Sequence, residues 1–422
     1  MFVFLFMTFL IPVVNPVAKP PKPFFISWQA VKRTRLYSSP LENSQVVSGI
    51  VTRNTRLPLV KKLPKKSCNN GFFAKLGKEL YGCSSNFAPS LAFPGGTPYF
   101  PEKFIKKVWK YYRRTKQKTP LYSSEEAIKS KNPTFLLPKG AYVSFFSKKY
   151  NKFNDKLYLY NQDQFLLPFA NTSYTPFKYF KGKKYSPTKY NRAVVISDSG
   201  AGLFRLPSGR RISLEKRYTW LELIPDQIKK HNGIRYFKTR NGGWVKEARI
   251  RRFFLSSPPD FIPPEKNHTW IEIILSQQTL VAYRGNSPIY LTLVSTGKKS
   301  SPTPTGIFRI FYKRSGQNIE ARKGKNYLYS FAKVPYLQFF KKKFAFHSAY
   351  WHNLFGYPSS MGCVELSPVD SKFLYEFTLP HINPGFMART AGKKSSGTLV
   401  RIVNFQGQTV NVRFNSRFLN YF

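Results

Sequence analysis

At 422 residues the chain is long enough for two or three domains, each with its own core. Hydrophobic residues at 42% and aromatic residues at 17% exclude a wholly disordered chain. Sixty-nine Lys and Arg against nineteen Asp and Glu give a net charge of +50, which favours an anionic surrounding such as cell-envelope polymer, a membrane surface or nucleic acid, unless it is spread over solvated faces.

The chain opens on a short apolar run, M-F-V-F-L-F-M-T-F-L-I-P-V-V, too short to span a bilayer comfortably. It is similar to a signal-peptide h-region, with Ala18 at a cleavage point, although the basic n-region is missing. Residues 1–18 are therefore read as a signal peptide and the protein as exported, to the periplasm or cell wall. The alternative is an N-terminal strand or membrane-leaning tail. No other stretch reads as transmembrane.

Residues 19–31 are Pro- and Lys-rich, a linker by composition. Over 32–93, short apolar runs at 45–51 and 72–76 alternate with Pro, Gly and Asn, which predicts small β-strands. The strings L-Y-S-S-P (36–40), C-N-N-G-F-F-A-K-L (68–76) and L-Y-G-C (80–83) resemble bacterial SH3-like modules. Cys68 and Cys83 suit a disulfide in an oxidising compartment, leaving Cys363 as an unpaired thiol. The alternative is three free, buried cysteines.

Residues 101–118 predict one basic helix, with Pro101 and Glu102 in its first turn and Phe104, Val108 and Tyr111 on one face. It opens a second β-rich region, 101–190, with strand-like runs at 141–146 and 156–160. Residues 192–254 form a better-defined module. A-V-V-I, W-L-E-L, I-R-Y-F-K-T and G-G-W-V-K are separated by Asn-Gly turns at 232–233 and 241–242, and again look like a small SH3-like β-barrel. Pro258, Pro259, Pro263 and Pro264 stiffen a linker at 255–268.

Beyond that linker, 269–275, 279–284 and 289–296 form a meander of β-prone residues, and Thr303-Pro-Thr-Gly306 turns into a strand at 307–312. A short strand at 344–347 ends on His347. The turn 360–362 precedes a strand at 363–366. Ser367 then caps a helix with Pro368 at its first position and Asp370 in its first turn, and Val369, Phe373 and Phe377 lie on the face expected to grip the sheet. A strand at 398–404 closes the domain 269–404, and 405–422 is a tail.

His347 and Cys363 stand sixteen positions apart (363 − 347 = 16). An imidazole that takes a thiol's proton makes the nucleophilic thiolate. Gly362 leaves room for a carbonyl to approach main-chain N–H groups, and the amides of Gly362 and Cys363 are candidate oxyanion donors. No ligand spacing for zinc links His231, His268 and His381, so no metal or cofactor is expected. The sequence carries no helix-turn-helix, zinc-finger or RNA-recognition signature, so nucleic acid is not the expected partner.

H-S-A-Y-W-H-N-L-F-G-Y-P-S-S-M-G-C-V-E-L (347–366), together with W-I-E-I-I-L-S-Q-Q-T-L-V-A-Y (270–283) and L-V-S-T-G-K-K-S-S-P-T-P-T-G-I-F (293–308), resembles the L,D-transpeptidase (YkuD-type) family. Within it the match is to members reading H-G-x-Y-W-H-x-x-F-G before the cysteine, here His347, Tyr350, Trp351, His352, Phe355 and Gly356. The resemblance implies a mainly β chain whose C-terminal YkuD-type β-sandwich, with one or two short helices, follows SH3-like modules. It implies Cys363 as nucleophile, His347 as general base, and Ser348, Tyr350, Trp351, His352, Ser360, Met361 and Glu365 around the substrate pocket. The implied partners are peptidoglycan stem peptides and, for the basic surface, anionic envelope polymers. The implied reaction releases D-Ala from a stem tetrapeptide and forms 3–3 cross-links; water as acceptor would make a carboxypeptidase. The family's S-H-G-C histidine is Met361 here, and Glu365 replaces an Asn or Arg. Those two departures favour the alternative of a degenerate, peptidoglycan-binding envelope protein.

Overall fold

A computed structural model describes residues 27–41, 47–77, 79–90, 92, 94–96, 100, 112–144, 150–161, 165–174, 179–259, 268–323, 326–392 and 396–405. The expected signal peptide, most of the first linker, the first part of the basic helix, residues 260–267 of the second linker and nearly all of the tail lie outside them. The fold is mainly β, and among the described residues no helix is long and apolar enough to cross a membrane.

The C-terminal domain carries ten strands, numbered here from its own start: β1 (Thr269–Ile274), β2 (Thr279–Arg284), β3 (Ser287–Leu293), β4 (Gly306–Arg309), β5 (Tyr312–Lys323), β6 (Asn326–Lys341), β7 (Phe344–Ser348), β8 (Val364–Leu366), β9 (Phe386–Thr390) and β10 (Leu399–Val403). One sheet runs β3-β2-β1-β10-β4, with β10 parallel to β1. The facing sheet is built on the long β5–β6 hairpin, flanked by β9 on one side and by β7 and β8 on the other. Ile271, Leu280, Val400, Phe346, Val364 and Leu366 meet in one core, and the Pro368–Phe377 helix contributes Leu374 to it. This is a β-sandwich.

The helix begins as its sequence dictates: Ser367 Oγ accepts from the Asp370 N–H at 3.2 Å, with Pro368 following. Phe373 and Phe377 pack against the sandwich core as expected, but the most deeply buried stripe of the helix is another one. Asp370, Ser371, Leu374 and Tyr375 are buried, whereas Val369, Phe373 and Phe377 are half-buried, with Phe373 stacked on Tyr290 at 3.9 Å. The polar residues go inward because they have partners there. Asp370 accepts from Gly182 N–H (2.9 Å), Tyr290 Oη (2.8 Å) and Thr292 Oγ1 (2.7 Å). At the helix's other end Lys313, fully buried, donates to the carbonyls of Tyr375 (2.6 Å) and Thr378 (2.9 Å). Burial pushes the Lys313 amine well below its ordinary pKa, and the carbonyls it meets are acceptors left open where the helix ends.

The upstream segments are joined to this domain by main-chain ladders. Val47–Val51 pairs with β9 (Ile50 opposite Ala388), Tyr142–Ser144 touches β6 at Phe331, and Lys183–Lys184 adds an antiparallel edge to β3. Two expectations are corrected. Ser27–Ala30 is a strand between Arg56–Pro58 and Phe87–Ser90, so the first linker ends before it; Trp28 and Ala30 are buried on both ladders' shared core. Tyr112–Thr115 is also a strand, paired with Tyr142–Ser144 and Thr172–Ser173, so the basic helix does not reach 118. There Tyr112 stacks on Tyr350 at 3.8 Å, and Arg113 is buried on Thr172 and over Phe169; these contacts override a helical period that the sequence fits equally well. Cys68 and Cys83 form a disulfide with Cα atoms 5.8 Å apart. Residues 191–252 make a separate seven-stranded antiparallel sheet with its own core of Ala193, Val195, Leu203, Leu223 and Val245.

Asp370→Ala would strand three buried donors, each worth roughly 1–3 kcal/mol when left unsatisfied. The expected outcome is a loss of about 3 kcal/mol or more, read as a lower Tm by calorimetry, together with faster amide exchange at 182–184. Unchanged exchange there would show that the carboxylate does not dock that strand.

Candidate active site

β7 and β8 lie parallel, with Phe346 opposite Val364, His347 opposite Glu365 and Ser348 opposite Leu366. Opposite residues of paired strands share a face, and residues two apart on one strand do too. His347, Glu365 and Cys363 therefore rise on the same side, while Ser348 and Leu366 point to the other. Ser348 is accordingly fully buried and does not line a pocket, contrary to expectation. Tyr350 is likewise buried, its hydroxyl on the Ala332 carbonyl (2.5 Å) and its ring between Tyr112 and Tyr142; it supports the site from behind.

The thiol of Cys363 is half-buried, and His347 is buried beside it at 3% exposure. His347 Nδ1 sits 3.2 Å from the Ser348 carbonyl, which can only accept. Nδ1 therefore carries the proton, and Nε2 is the nitrogen able to take one from sulfur. Burial pulls the His347 pKa down. The hydrogen bond to Cys363, the Cys363 and Glu365 charges and the Ser348 carbonyl together outweigh it and hold the imidazole above its ordinary value. Trp351 packs 5.8 Å from the His347 ring and stacks on Phe331 at 3.8 Å, so β6 walls this side of the site.

Glu365 is buried and paired. Its carboxylate lies 2.8 Å from His352 Nε2, and His352 Nδ1 accepts from the Leu354 N–H at 3.0 Å. That second bond fixes the tautomer: Nε2 bears the hydrogen and donates it to Glu365. Ser359 Oγ is 3.4 Å from the same nitrogen and 2.6 Å from Ser295 Oγ. Sequence reasoning put Glu365 and His352 in the pocket separately. The structure makes them one unit.

The turn carrying Cys363 is held by Ser360, expected at the pocket, and by Thr303 and Gln278, to which the sequence reading gave no role at the site. Ser360 Oγ donates to the Cys363 carbonyl (2.6 Å) and accepts from the Gly362 N–H (3.0 Å). Thr303, from the T-P-T-G motif, donates to the Gly362 carbonyl (2.8 Å) and accepts from the Gly297 N–H (2.9 Å). A β-carbon on Gly297 would lie 2.9 Å from Gly362 Cα and still closer to the 301–303 backbone, so this approach requires glycine. Gln278 anchors Thr296 from beneath, accepting from its N–H at 2.8 Å. Gln278 could have been suspected only as a polar residue in an apolar meander, and Thr303 only through its T-P-T-G turn. Because the Gly362 N–H is engaged by Ser360, the oxyanion role assigned to it falls away in this geometry. The Cys363 N–H has no partner among the described residues and remains a main-chain donor beside the thiol. Met361 is 63% exposed.

Residues 268–402 match the family model described as YkuD, L,D-transpeptidase catalytic domain, whose members are cysteine-dependent and act on cell-wall peptidoglycan. Among solved structures the chain is similar to the L,D-transpeptidase (Yku) from Stackebrandtia nassauensis, at 26% identity and a TM-score of 0.25 over 36% of this chain and 64% of that one. It is also similar to the C442S mutant of Enterococcus faecium L,D-transpeptidase, at 21% identity and a TM-score of 0.26 over 32% and 50% of the two chains. A third is L,D-transpeptidase 3 from Mycobacterium tuberculosis in complex with a faropenem-derived adduct, at 16% identity and a TM-score of 0.25 over 38% and 72%. The chain thus spans less than two thirds of the length of the first two. A comparison with curated proteins gave no match.

Glu365→Gln removes one of the charges that raise the His347 pKa, so the His347 titration midpoint is expected at lower pH, followed through its Cε1–H resonance by NMR; an unmoved midpoint would mean the carboxylate does not act on the imidazole. Gly362 has φ +111°, and a β-carbon there would lie 2.7 Å from the Phe344 ring. Gly362→Ala should therefore misplace the thiol and slow alkylation of Cys363 by iodoacetamide several-fold or more.

Proposed function

From the match of residues 268–402 to the YkuD L,D-transpeptidase catalytic domain, we propose that the chain is a peptidoglycan L,D-transpeptidase acting through Cys363. The observation that carries this reading is a half-buried thiol acting on a buried histidine, whose pKa it raises and whose Nε2 is the nitrogen left to take a proton. His347 takes the thiol proton, and sulfur attacks the carbonyl of the L-centre of the third residue of a stem tetrapeptide. The oxyanion faces the Cys363 N–H. The amide C–N bond then breaks, His347 returns the proton to the departing nitrogen, and D-alanine leaves a thioester on Cys363. An acceptor amine attacks the thioester, His347 takes the amine's proton, and the new amide is a 3–3 cross-link with the thiol restored. A histidine held above its ordinary pKa is well suited to the return step, because it stays protonated until the leaving nitrogen needs the proton.

Glu365 bears on the choice between turnover and mere binding. An unpaired acid beside the thiol would oppose thiolate formation, but this acid is paired with His352, and its charge favours a protonated His347. That supports the enzymatic reading over the degenerate one. The Cys68–Cys83 disulfide supports work in an oxidising compartment, at the cell wall. The all-antiparallel 191–252 sheet supports an SH3-like module ahead of the catalytic domain.

Incubation of the full chain with disaccharide-tetrapeptide, read by mass spectrometry, tests the proposal. The expected result is a Cys363 adduct equal to the donor minus D-alanine and cross-linked dimers, both absent in Cys363→Ala. A tripeptide product without dimers would identify water as the acceptor. An unmodified Cys363 under these conditions would leave the chain as a binder only.

A further inference from the structure

Away from Cys363, a cleft of about 720 Å³ opens between residues 179–183 and the 216–220 turn, with Asp198 also in its lining. Its volume falls in the range of small-ligand sites, ~300–1,000 Å³. Two kinds of group line it. Tyr179, Tyr218 and Trp220 give aromatic surface, backed by buried Phe180, whose ring lies 5.1 Å from Tyr218 and 5.9 Å from Trp220. Lys181, Lys183, Lys216 and Arg217 give four cations against the single acid Asp198.

That acid is already neutralised. Arg217 pairs with Asp198, donates to the Asn353 carbonyl at 2.6 Å and lies over the Tyr218 ring at 4.6 Å. Lys183 Nζ sits 5.3 Å from the Trp220 ring centre. Lys181 and Lys216 are exposed and make no ion pair among the described residues. The cleft therefore holds excess positive charge next to aromatic rings that are partly covered, Trp220 by Phe253 stacked at 5.2 Å and Tyr218 by Arg217. Tyr218 Oη donates to the Asn353 carbonyl (2.7 Å) and Tyr179 Oη to the Tyr350 carbonyl (2.8 Å), so the walls are fixed to the segment that carries Trp351 and His352.

We propose that this cleft binds an acidic glycan, a chain with a sugar ring on the face of Trp220 turned away from Phe253 while its anionic groups meet Lys181, Lys183 and Lys216. Sugar rings present C–H faces that pack on aromatic rings, and carboxylate or phosphate groups supply the opposite charge. A neutral glycan would leave the lysines unmatched, and a simple anion would leave the aromatic floor uncovered. The site is independent of the chemistry at Cys363, so it can fail while the transpeptidase reading stands, and the reverse.

The test is calorimetric titration of the full-length Cys363→Ala protein with three probes: disaccharide-tetrapeptide, N-acetylglucosamine-substituted poly(ribitol phosphate), and neutral tetra-N-acetylchitotetraose. Saturable binding is expected for at least one acidic probe, and which one binds identifies carboxylate or phosphate as the anion. Adding Lys181→Glu and Lys216→Glu together should weaken it tenfold or more. Both side chains are exposed, and the milder Lys181→Ala with Lys216→Ala should weaken it in the same direction. Affinity should also fall as salt rises. Equal affinity in wild-type and reversed-charge clefts, equal affinity for the neutral probe, or no saturable binding to either acidic probe would overturn the assignment.

Discussion

The parallel pairing of β7 with β8 is the constraint from which the site follows. It sets His347 opposite Glu365 and leaves Cys363 at the strand's entry on the same face, so one register fixes all three. A slip by one residue would turn the thiol into the core and bring Val364 to the imidazole. The register is itself defended from several directions. The Ser295 N–H and carbonyl both bond Glu365, each at 2.9 Å, and the Ser360 carbonyl accepts from Lys298 at 3.0 Å. Thr303 reaches the turn from the T-P-T-G motif. Side chains on the hidden face, Phe346, Val364 and Leu366, sit in the sandwich core. Packing below and hydrogen bonding at the rim therefore enforce the same alignment.

That alignment also explains how the chain accommodates its two departures from the family pattern. Met361 lies in the turn, 63% exposed, with its side chain turned largely to solvent. Glu365 is a different matter, because it stands directly opposite His347. Its burial would be unfavourable if it were alone, but His352 donates to it and is itself locked by the Leu354 amide. The negative charge is left facing an imidazole that benefits from it. Substitution and compensation occur within one hydrogen-bonded unit, and that unit belongs to the Y-W-H stretch the sequence already marked.

Much of the C-terminal domain was legible because short-range rules agree there. Ser367 followed by Pro368 starts the helix, the β-prone runs give β1 to β3, and His347 and Cys363 announce themselves by residue type. What was not legible depends on long-range partners. Asp370 looks like a first-turn acid, yet it turns inward because Gly182, Tyr290 and Thr292 bring it donors from two other segments. Ser348 looks like a pocket residue because it adjoins the base, but alternation along β7 sends it the other way. Tyr112–Thr115 fits a helical period until the ladders on either side and the Tyr350 ring are known. Sequence carries the local preference; the competing partner is invisible in it.

The same dependence on distant partners changes what the upstream segments are for. A string of independent modules joined by linkers would predict separate sheets and few shared bonds. Instead Val47–Val51 completes a ladder with β9, Lys183–Lys184 extends β3, and Tyr112 and Tyr142 pack on Tyr350 just beyond β7. Tyr142 Oη reaches the Trp351 carbonyl at 3.1 Å, and Arg217 and Tyr218 reach Asn353. The loop that supplies Trp351 and His352 is thus held by three upstream segments as well as by its own domain. Since loops keep functional side chains in place only as well as their supports do, these segments act as part of the site's scaffold. Any glycan gripped between 179–183 and 216–220 would be gripped by the same pieces of chain that position the His352–Glu365 pair.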